Sequence, residues 1–316
     1  MPRVLITTSS FNVEQNHGLQ QLQLAGIHVT ANPHGKRLTE TEVAGLLDDD
    51  VVGMIAGVEP LTRLVLSKAP ELKVISRCGI GLDSVDLVAA SEYGIKVYNT
   101  PDAPTAAVAE LTLGLILGLL RRISRADHDL HQGEWKEHMG SLLSTQTVGI
   151  VGFGRVGRRV AQLVRAFGSS LLAYDMQAVD MPEYLERTNL DGLLRKSDIV
   201  TLHVPLVPGR GYLIGRPQFA VMKPGAFLVN TARGGLVDES ALLEALQSGR
   251  LAGAACDVFE QEPYHGPLAQ LPQVLLTAHM GSYARESRAL MEQEAAENLV
   301  RGLVECGILD RGAARR

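Results

Sequence analysis

Residues 147–175 read TVGIVGFGRVGRRVAQLVRAFGSSLLAYD, and this stretch decides the fold. A short β-branched run, residues 147–151, meets Gly152-Phe153-Gly154-Arg155-Val156-Gly157, after which Val160, Leu163, Val164 and Phe167 continue the apolar positions at helical spacing. A second apolar run, 171–174, ends in Asp175. Strand, glycine-rich turn, helix and strand in that order make a βαβ unit carrying GxGxxG. Gly152 permits the tight turn, Gly154 lets the backbone approach a pyrophosphate, and Gly157 allows the helix to pack closely on the strand. The helix N-terminus then offers N–H donors to an anion. Asp175 stands where a carboxylate accepts hydrogen bonds from ribose hydroxyls and repels a 2′-phosphate. Met176 and Gln177 follow, with no Arg or Lys beside them, so the pattern favours NAD over NADP.

Working outward, further strand patterns fall at 199–203, 226–230, 253–257 and 274–277, giving six strands for a doubly wound domain. Upstream, strand patterns at 4–8, 28–30, 51–56, 73–76 and 96–98 alternate with helical segments. Thr39 with Glu42 spells a capping box, Pro60 suits the first turn of the next helix, and Asp83 suits the cap of the helix running to Tyr93. The fold class is therefore α/β: two Rossmann-like or flavodoxin-like domains, each a parallel sheet flanked by helices, with the ligand expected in the cleft between them. Pro101 and Pro104 break the pattern and mark a crossing near residue 99. Residues 111–120 read as a buried helix in which Gly114 and Gly118 would admit another helix. Residues 283–305 favour a long helix outside the second sheet, and 310–316 read as a loose tail.

With 316 residues, of which 46% are hydrophobic, the chain can bury the cores of two domains. Thirty Lys and Arg against 35 Asp and Glu give a net charge of -5 without long blocks, which excludes a polyanion-binding surface as the leading reading. Cys78, Cys256 and Cys306 show no paired spacing, arguing against disulfides and structural zinc, and no metal is expected. The opening MPRVLITT lacks the pattern of a secretory leader and no apolar run approaches membrane length, so a cytoplasmic protein without membrane or nucleic-acid partners is expected.

Residues 227–235, FLVNTARGG, form a buried strand ending in Arg233 and two glycines, ahead of a helix capped near Asp238 or Ser240. A guanidinium at the carboxyl end of a sheet can grip a carboxylate and donate to the adjacent carbonyl oxygen, although a lone Arg there is more often a surface ion pair. Asp257-Val258-Phe259-Glu260-Gln261-Glu262-Pro263 and Thr277-Ala278-His279-Met280-Gly281 likewise put polar residues directly after apolar strands. Hydride transfer to a ketone needs a proton for the new hydroxyl, and imidazolium is the suitable donor near neutrality. A partner carboxylate stabilises that cation and fixes its tautomer, and Glu262 with His279 meets the need. Each residue alone is weak; with the glycine turn they make a set.

Together these segments resemble the D-isomer-specific 2-hydroxyacid dehydrogenase family, nearest its phosphoglycerate dehydrogenase branch, over residues 50–300. The matches are Ser76-Arg77-Cys78-Gly79-Ile80-Gly81-Leu82-Asp83-Ser84-Val85-Asp86, Asn99-Thr100-Pro101, Gly152 to Gly157, Asn230 to Asp238, Asp257 to Pro263, and His279-Met280-Gly281. The resemblance implies catalytic roles for Arg233, Glu262 and His279. Thr100, Arg155, Val156, Val204, Thr231, Ala232, Arg233, Asp257, His279, Met280 and Gly281 are the implied NAD contacts beyond the glycines and Asp175, with Asp257 near the nicotinamide amide. Backbone N–H groups of Arg77, Cys78, Gly79, Ile80 and Gly81 would hold the substrate carboxylate, aided by Arg233 and His279, with Arg77 an extra charge and Cys78 a packed side chain. The resemblance further implies a homodimer through the cofactor domain and a first domain, 1–98, completed by 284–316 around an NAD-binding domain, 99–283. The implied substrate is a small D-2-hydroxy acid or 2-oxo acid: 3-phosphoglycerate, a glycerate-, hydroxypyruvate- or glyoxylate-like acid, or a phosphonate analogue. The stretch Trp135-Lys136-Glu137-His138-Met139 is shorter and less basic than that branch leads one to expect, which counts against a phosphate. No appended regulatory domain is expected. An NAD(H)-sensing corepressor-like binding protein and a phosphite-type oxidation are the alternatives, whereas the acid at Glu262 disfavours formate chemistry.

Overall fold

In the computed structural model, which describes residues 1–177, 179–207 and 209–310, strands and helices alternate along almost the whole chain. The tail beyond Asp310, read above as loose, lies outside the described residues. The first series is β1 (Arg3–Ile6), α1 (His17–Leu24), β2 (His28–Ala31), α2 (Glu40–Leu46), β3 (Val51–Ala56), α3 (Arg63–Leu66), β4 (Val74–Arg77), α4 (Leu87–Glu92) and β5 (Lys96–Asn99). Its five strands are all parallel, in the order β2-β1-β3-β4-β5, the flavodoxin-like winding. Every residue of β3 is buried, as a central strand covered on both faces requires.

Two helix starts differ from the sequence expectation for one shared reason. Leu61 and Val85 form a parallel bridge, with Leu61 N–H donating to Ser84 O and Asp86 N–H to Leu61 O. Both segments are held extended there. The helix after Pro60 therefore begins at Arg63 under a Thr62 cap, and the next is capped by Asp86 rather than Asp83.

The second series comprises α5 (Thr105–Arg121), α6 (Ile123–His131), β6 (Thr147–Val151), α7 (Arg155–Arg165), β7 (Ser170–Tyr174), β8 (Glu186–Arg187), α8 (Leu190–Lys196), β9 (Ile199–Leu202), α9 (Arg216–Val221), β10 (Ala226–Asn230), α10 (Glu239–Gln247), β11 (Leu251–Cys256) and β12 (Val274–Leu276). Its sheet has seven strands rather than six, in the order β12-β11-β10-β9-β6-β7-β8. The unexpected member, β8, is an exposed two-residue edge strand with no apolar alternation to announce it. Counted from β6, this is the Rossmann order with one strand added. The reversal of winding lies between β6 and β9, directly below the glycine turn. The 111–120 segment is buried in α5, where Leu115, Ile116 and Leu119 join Val160, Ala161 and Val164 of α7 in one core. Gly118 faces Leu275 of β12 rather than a second helix, and Gly114 faces open space.

The last helix, α11 (Arg285–Glu305), packs on the first sheet through Met291, Ala295, Ala296, Leu299 and Leu303. Gly53 makes room for Leu299, and Gly302 lies against Val74 and Tyr98. The chain thus divides into Met1–Pro104 with Ser282–Arg316, and Thr105–Gly281. These divisions lie a few residues from the expected 98/99 and 283/284. Asn99 still belongs to β5, its carbonyl accepts from Asn298 Nδ2 at 3.0 Å, and Ala103 is buried in the first core. No helix among the described residues is long and apolar enough to cross a membrane.

Candidate active site

The predicted cofactor residues of the second unit gather at the carboxyl ends of its strands. After β6, Gly152 adopts φ 95°, and a Cβ there would overlap His203 O and approach Val204 Cγ1 to 2.6 Å. A Cβ on Gly157 would strike the Gly152 carbonyl, so α7 can start this close to β6 only with glycine. Gly154 is different: a Cβ there would meet nothing within 4 Å, and it caps the 11-residue α7 with no side chain of its own. That open space over a helix N-terminus is the cradle a pyrophosphate needs. Asp175, just past β7, accepts from Phe153 N–H at 2.7 Å through Oδ2 and from Gln177 N–H at 2.9 Å through Oδ1. Each oxygen keeps a lone pair for a ribose hydroxyl. The residues present therefore fit a dinucleotide. Beside the turn, burial pushes the His203 imidazole down to about 3, so a neutral ring packs at the end of β9.

Further along the sheet, Asn230 shapes the loop that carries Arg233. Its Oδ1 accepts from Ala232 N–H at 3.1 Å and its Nδ2 donates to Arg233 O at 2.9 Å. Arg233 Nη1 donates to Ala232 O at 2.6 Å, which orients the guanidinium. A Cβ on Gly234 would collide with the Phe259 backbone, so this glycine lets the loop after β10 close onto the segment that ends in Glu262. Thr231 is held by a 2.9 Å hydroxyl pair with the fully buried Thr112. Sequence reasoning gave no role to Asn230 or Thr112; a polar residue closing an otherwise apolar buried strand is the signal that could have marked Asn230.

His279 and Glu262 meet directly. Nδ1 lies 2.9 Å from Glu262 Oε2 and 3.1 Å from Oε1. With Nδ1 on the carboxylate, Nε2 is the nitrogen left to exchange a proton with a ligand. His279 has φ 49°, a left-handed conformation that costs a non-glycine residue energy and must be held by its surroundings. Asp257 holds it. Buried to 1% exposure, its Oδ1 accepts from Thr277 Oγ1 at 2.6 Å and Met280 N–H at 2.8 Å, and its Oδ2 from Gly281 N–H at 2.9 Å. Those bonds leave one lone pair, on Oδ2, so Asp257 serves the turn before any ligand.

In the first unit, the loop after β4 is internally braced. Cys78 N–H donates to Ala56 O at 2.8 Å and Gly79 N–H to Thr100 Oγ1 at 2.7 Å, while Thr100 N–H returns a bond to Gly79 O. Thr100, expected beside the cofactor, is fully buried and directs its hydroxyl into this loop. Arg77, expected as an extra charge for substrate, is buried and folds back so that Nη1 donates to Cys78 O, filling the space over Gly79 that a Cβ would need. Among the described residues, Ile80 and Gly81 are the expected loop donors whose N–H groups make no such backbone or side-chain bond. Cys78 is packed, its thiol pushed up to about 11 by burial.

Comparison with known proteins identifies the family. Residues 113–281 match the family profile described as D-isomer specific 2-hydroxyacid dehydrogenase, NAD binding domain. A D-3-phosphoglycerate dehydrogenase of Methanocaldococcus jannaschii is 40% identical over 272 residues, covering 83% of this chain and 51% of the relative; the chain thus spans about half that protein's length. A hydroxypyruvate reductase of Thermotoga maritima is 37% identical over 274 residues, covering 85% of this chain and 90% of the relative. The crystal structure of a Thermus thermophilus protein superposes with a TM-score of 0.88 at 38% identity, covering 96% of this chain and 97% of the other. Profile, relatives and structure agree on the cofactor domain and on the two-sheet architecture: the chain belongs to the D-isomer-specific 2-hydroxyacid dehydrogenase family.

Proposed function

We propose that the chain catalyses the reversible, NAD-dependent reduction of a small 2-oxo acid to its D-2-hydroxy acid, with His279 as the proton donor. The observation that carries this reading is the 2.9 Å pairing of His279 Nδ1 with Glu262, on a turn locked by Asp257. When bound, the nicotinamide supplies or accepts the hydride at C2. Arg233 grips the substrate carboxylate and polarises the neighbouring carbonyl oxygen. His279 Nε2 gives that oxygen its proton, while Glu262 stabilises the charged ring and keeps Nδ1 protonated. In the oxidative direction the same nitrogen takes the proton back. The N–H groups of Ile80 and Gly81 are assigned to the substrate carboxylate.

Within the class, an unphosphorylated acid such as hydroxypyruvate or glyoxylate is the substrate we favour. Arg77 is turned back onto its own loop rather than offered as an extra charge for a phosphate. We further infer a homodimer through the cofactor unit, supported by the exposed apolar side chains of Trp135 and Met139, 86% and 91% exposed, and by the open face at Gly114. Free Cys78, Cys256 and Cys306 fit a reducing, cytoplasmic setting. An initial-rate screen of hydroxypyruvate, glyoxylate, 3-phosphohydroxypyruvate and pyruvate with NADH tests the reading. Turnover of the first two ahead of the phosphorylated acid is expected. NADH binding without turnover of any acid would instead favour the NAD(H)-sensing protein, and NAD reduction by phosphite the third alternative.

A further inference from the structure

The segment after Asp175 has a charged neighbour that the adjoining sequence does not supply. Arg210 lies 34 positions beyond Met176, in the loop between β9 and α9, and its Nη1 approaches Met176 Sδ to 2.8 Å. The loop backbone aims it there. Gly209 and Gly211 flank it at φ 76° and 71°, conformations glycine adopts freely, and Arg210 N–H closes a turn onto Val207 O at 3.2 Å. A thioether is a weak acceptor and leaves most of a guanidinium's donors to solvent. Arg210 is exposed, and among the described residues no carboxylate pairs with it. A full positive charge thus stands over the residue directly after the acid that faces the ribose. Asp175, for its part, is engaged with two backbone N–H groups, Phe153 and Gln177, which offset part of its charge.

We propose that Arg210 is a cofactor-specificity residue, pairing with a phosphate on the adenosine ribose so that the chain accepts NADP(H) as a second cofactor behind NAD(H). A guanidinium suits a phosphate dianion through two parallel N–H bonds, and a flexible, exposed side chain with no ionic partner loses none on taking one. The residues adjoining Asp175 hold no cation, and the fold brings one from a different strand end. This inference rests on the dinucleotide reading of the glycine turn.

Calorimetric titration of the full chain with 2′,5′-ADP, 5′-ADP, NADPH and NADH tests it, comparing wild type with Arg210→Ala and Arg210→Lys. Loss of Arg210 is expected to weaken 2′,5′-ADP and NADPH about tenfold, equivalent to about 1.4 kcal/mol, and to leave 5′-ADP and NADH within about twofold. Lysine should restore part of the phosphate-dependent loss. Equal weakening of all four ligands, or unchanged 2′,5′-ADP affinity in Arg210→Ala, would overturn the proposal while leaving the dinucleotide site standing. Failure of wild type to bind 5′-ADP and NADH would overturn both.

Discussion

His279 owes its position to two neighbouring carboxylates, Asp257 and Glu262. Its left-handed backbone is held by the three hydrogen bonds into Asp257, and its ring is set by the two contacts to Glu262. The candidate residues of the proposed chemistry were legible in the sequence, because hydride transfer to a carbonyl needs an acid, a carboxylate grip and a dinucleotide turn, and each has a characteristic residue type. The supporting bonds were not: whether Asp257 faces a ligand or a backbone turn depends on how the ends of β11 and β12 lie side by side, which spacing does not encode. The same holds for Arg77, expected to face substrate, and Thr100, expected to face the cofactor: both turn their polar groups onto the loop after β4. Thiol chemistry gives a test at this scale. Burial holds the Cys78 thiol at about 11 and the Cys256 thiol at about 12, whereas Cys306 is only half-buried. At pH 8 an Ellman titration of the native protein should therefore count one reactive thiol, and three in denaturant. Rapid reaction of two or more in the native state would contradict the packing of β4 and β11.

Among the elements, the strongly periodic ones read most directly, since a buried strand or an amphipathic helix writes its period into the chain. β6 and β10 lie where the pattern puts them. β8 was invisible because two exposed residues at a sheet edge bury nothing, and the starts of α3 and α4 moved because the Leu61–Val85 bridge outcompeted local capping signals. The box at α2 is the case where local chemistry prevailed: Glu42 N–H donates to Thr39 Oγ1 at 3.3 Å and Thr39 N–H to Glu42 Oε2 at 2.8 Å. Thr39→Ala should cost about 1 kcal/mol in chemical denaturation. The Lys36 ammonium and then the Thr39 groups lower Glu42 from 4.5 to about 2. A carboxyl depressed on folding stabilises above its unfolded value and stops doing so as pH falls through the folded one. The difference in melting temperature between wild type and Glu42→Gln should accordingly be constant above pH 4.5 and shrink as pH drops toward 2. A difference that grows on acidification would contradict the box.

For the whole molecule, alternation of strands and helices announced two parallel sheets, but not their strand orders, which depend on pairings between distant segments. The return of α11 to the first sheet was expected from the family resemblance and not from the residues themselves: its apolar face fits any sheet, and the glycines that receive it, Gly53 and Gly302, look like any others in the sequence. Association can be read at this scale because Trp135 is the chain's one tryptophan and is 86% exposed. If the proposed homodimer covers this side chain, emission should shift to the red on dilution, with a midpoint matching the dimer-to-monomer transition in sedimentation. A concentration-independent, fully exposed spectrum alongside a stable dimer would place the interface elsewhere. The central claim, that this molecule moves a hydride and a proton between NADH and a 2-oxo acid through His279, is tested most directly by single-turnover kinetics of His279→Asn. With NADH bound and hydroxypyruvate or glyoxylate in excess, the variant should oxidise NADH at least about a hundredfold more slowly than wild type while binding NADH within about twofold of it. An unchanged rate of NADH oxidation in the variant would contradict the account.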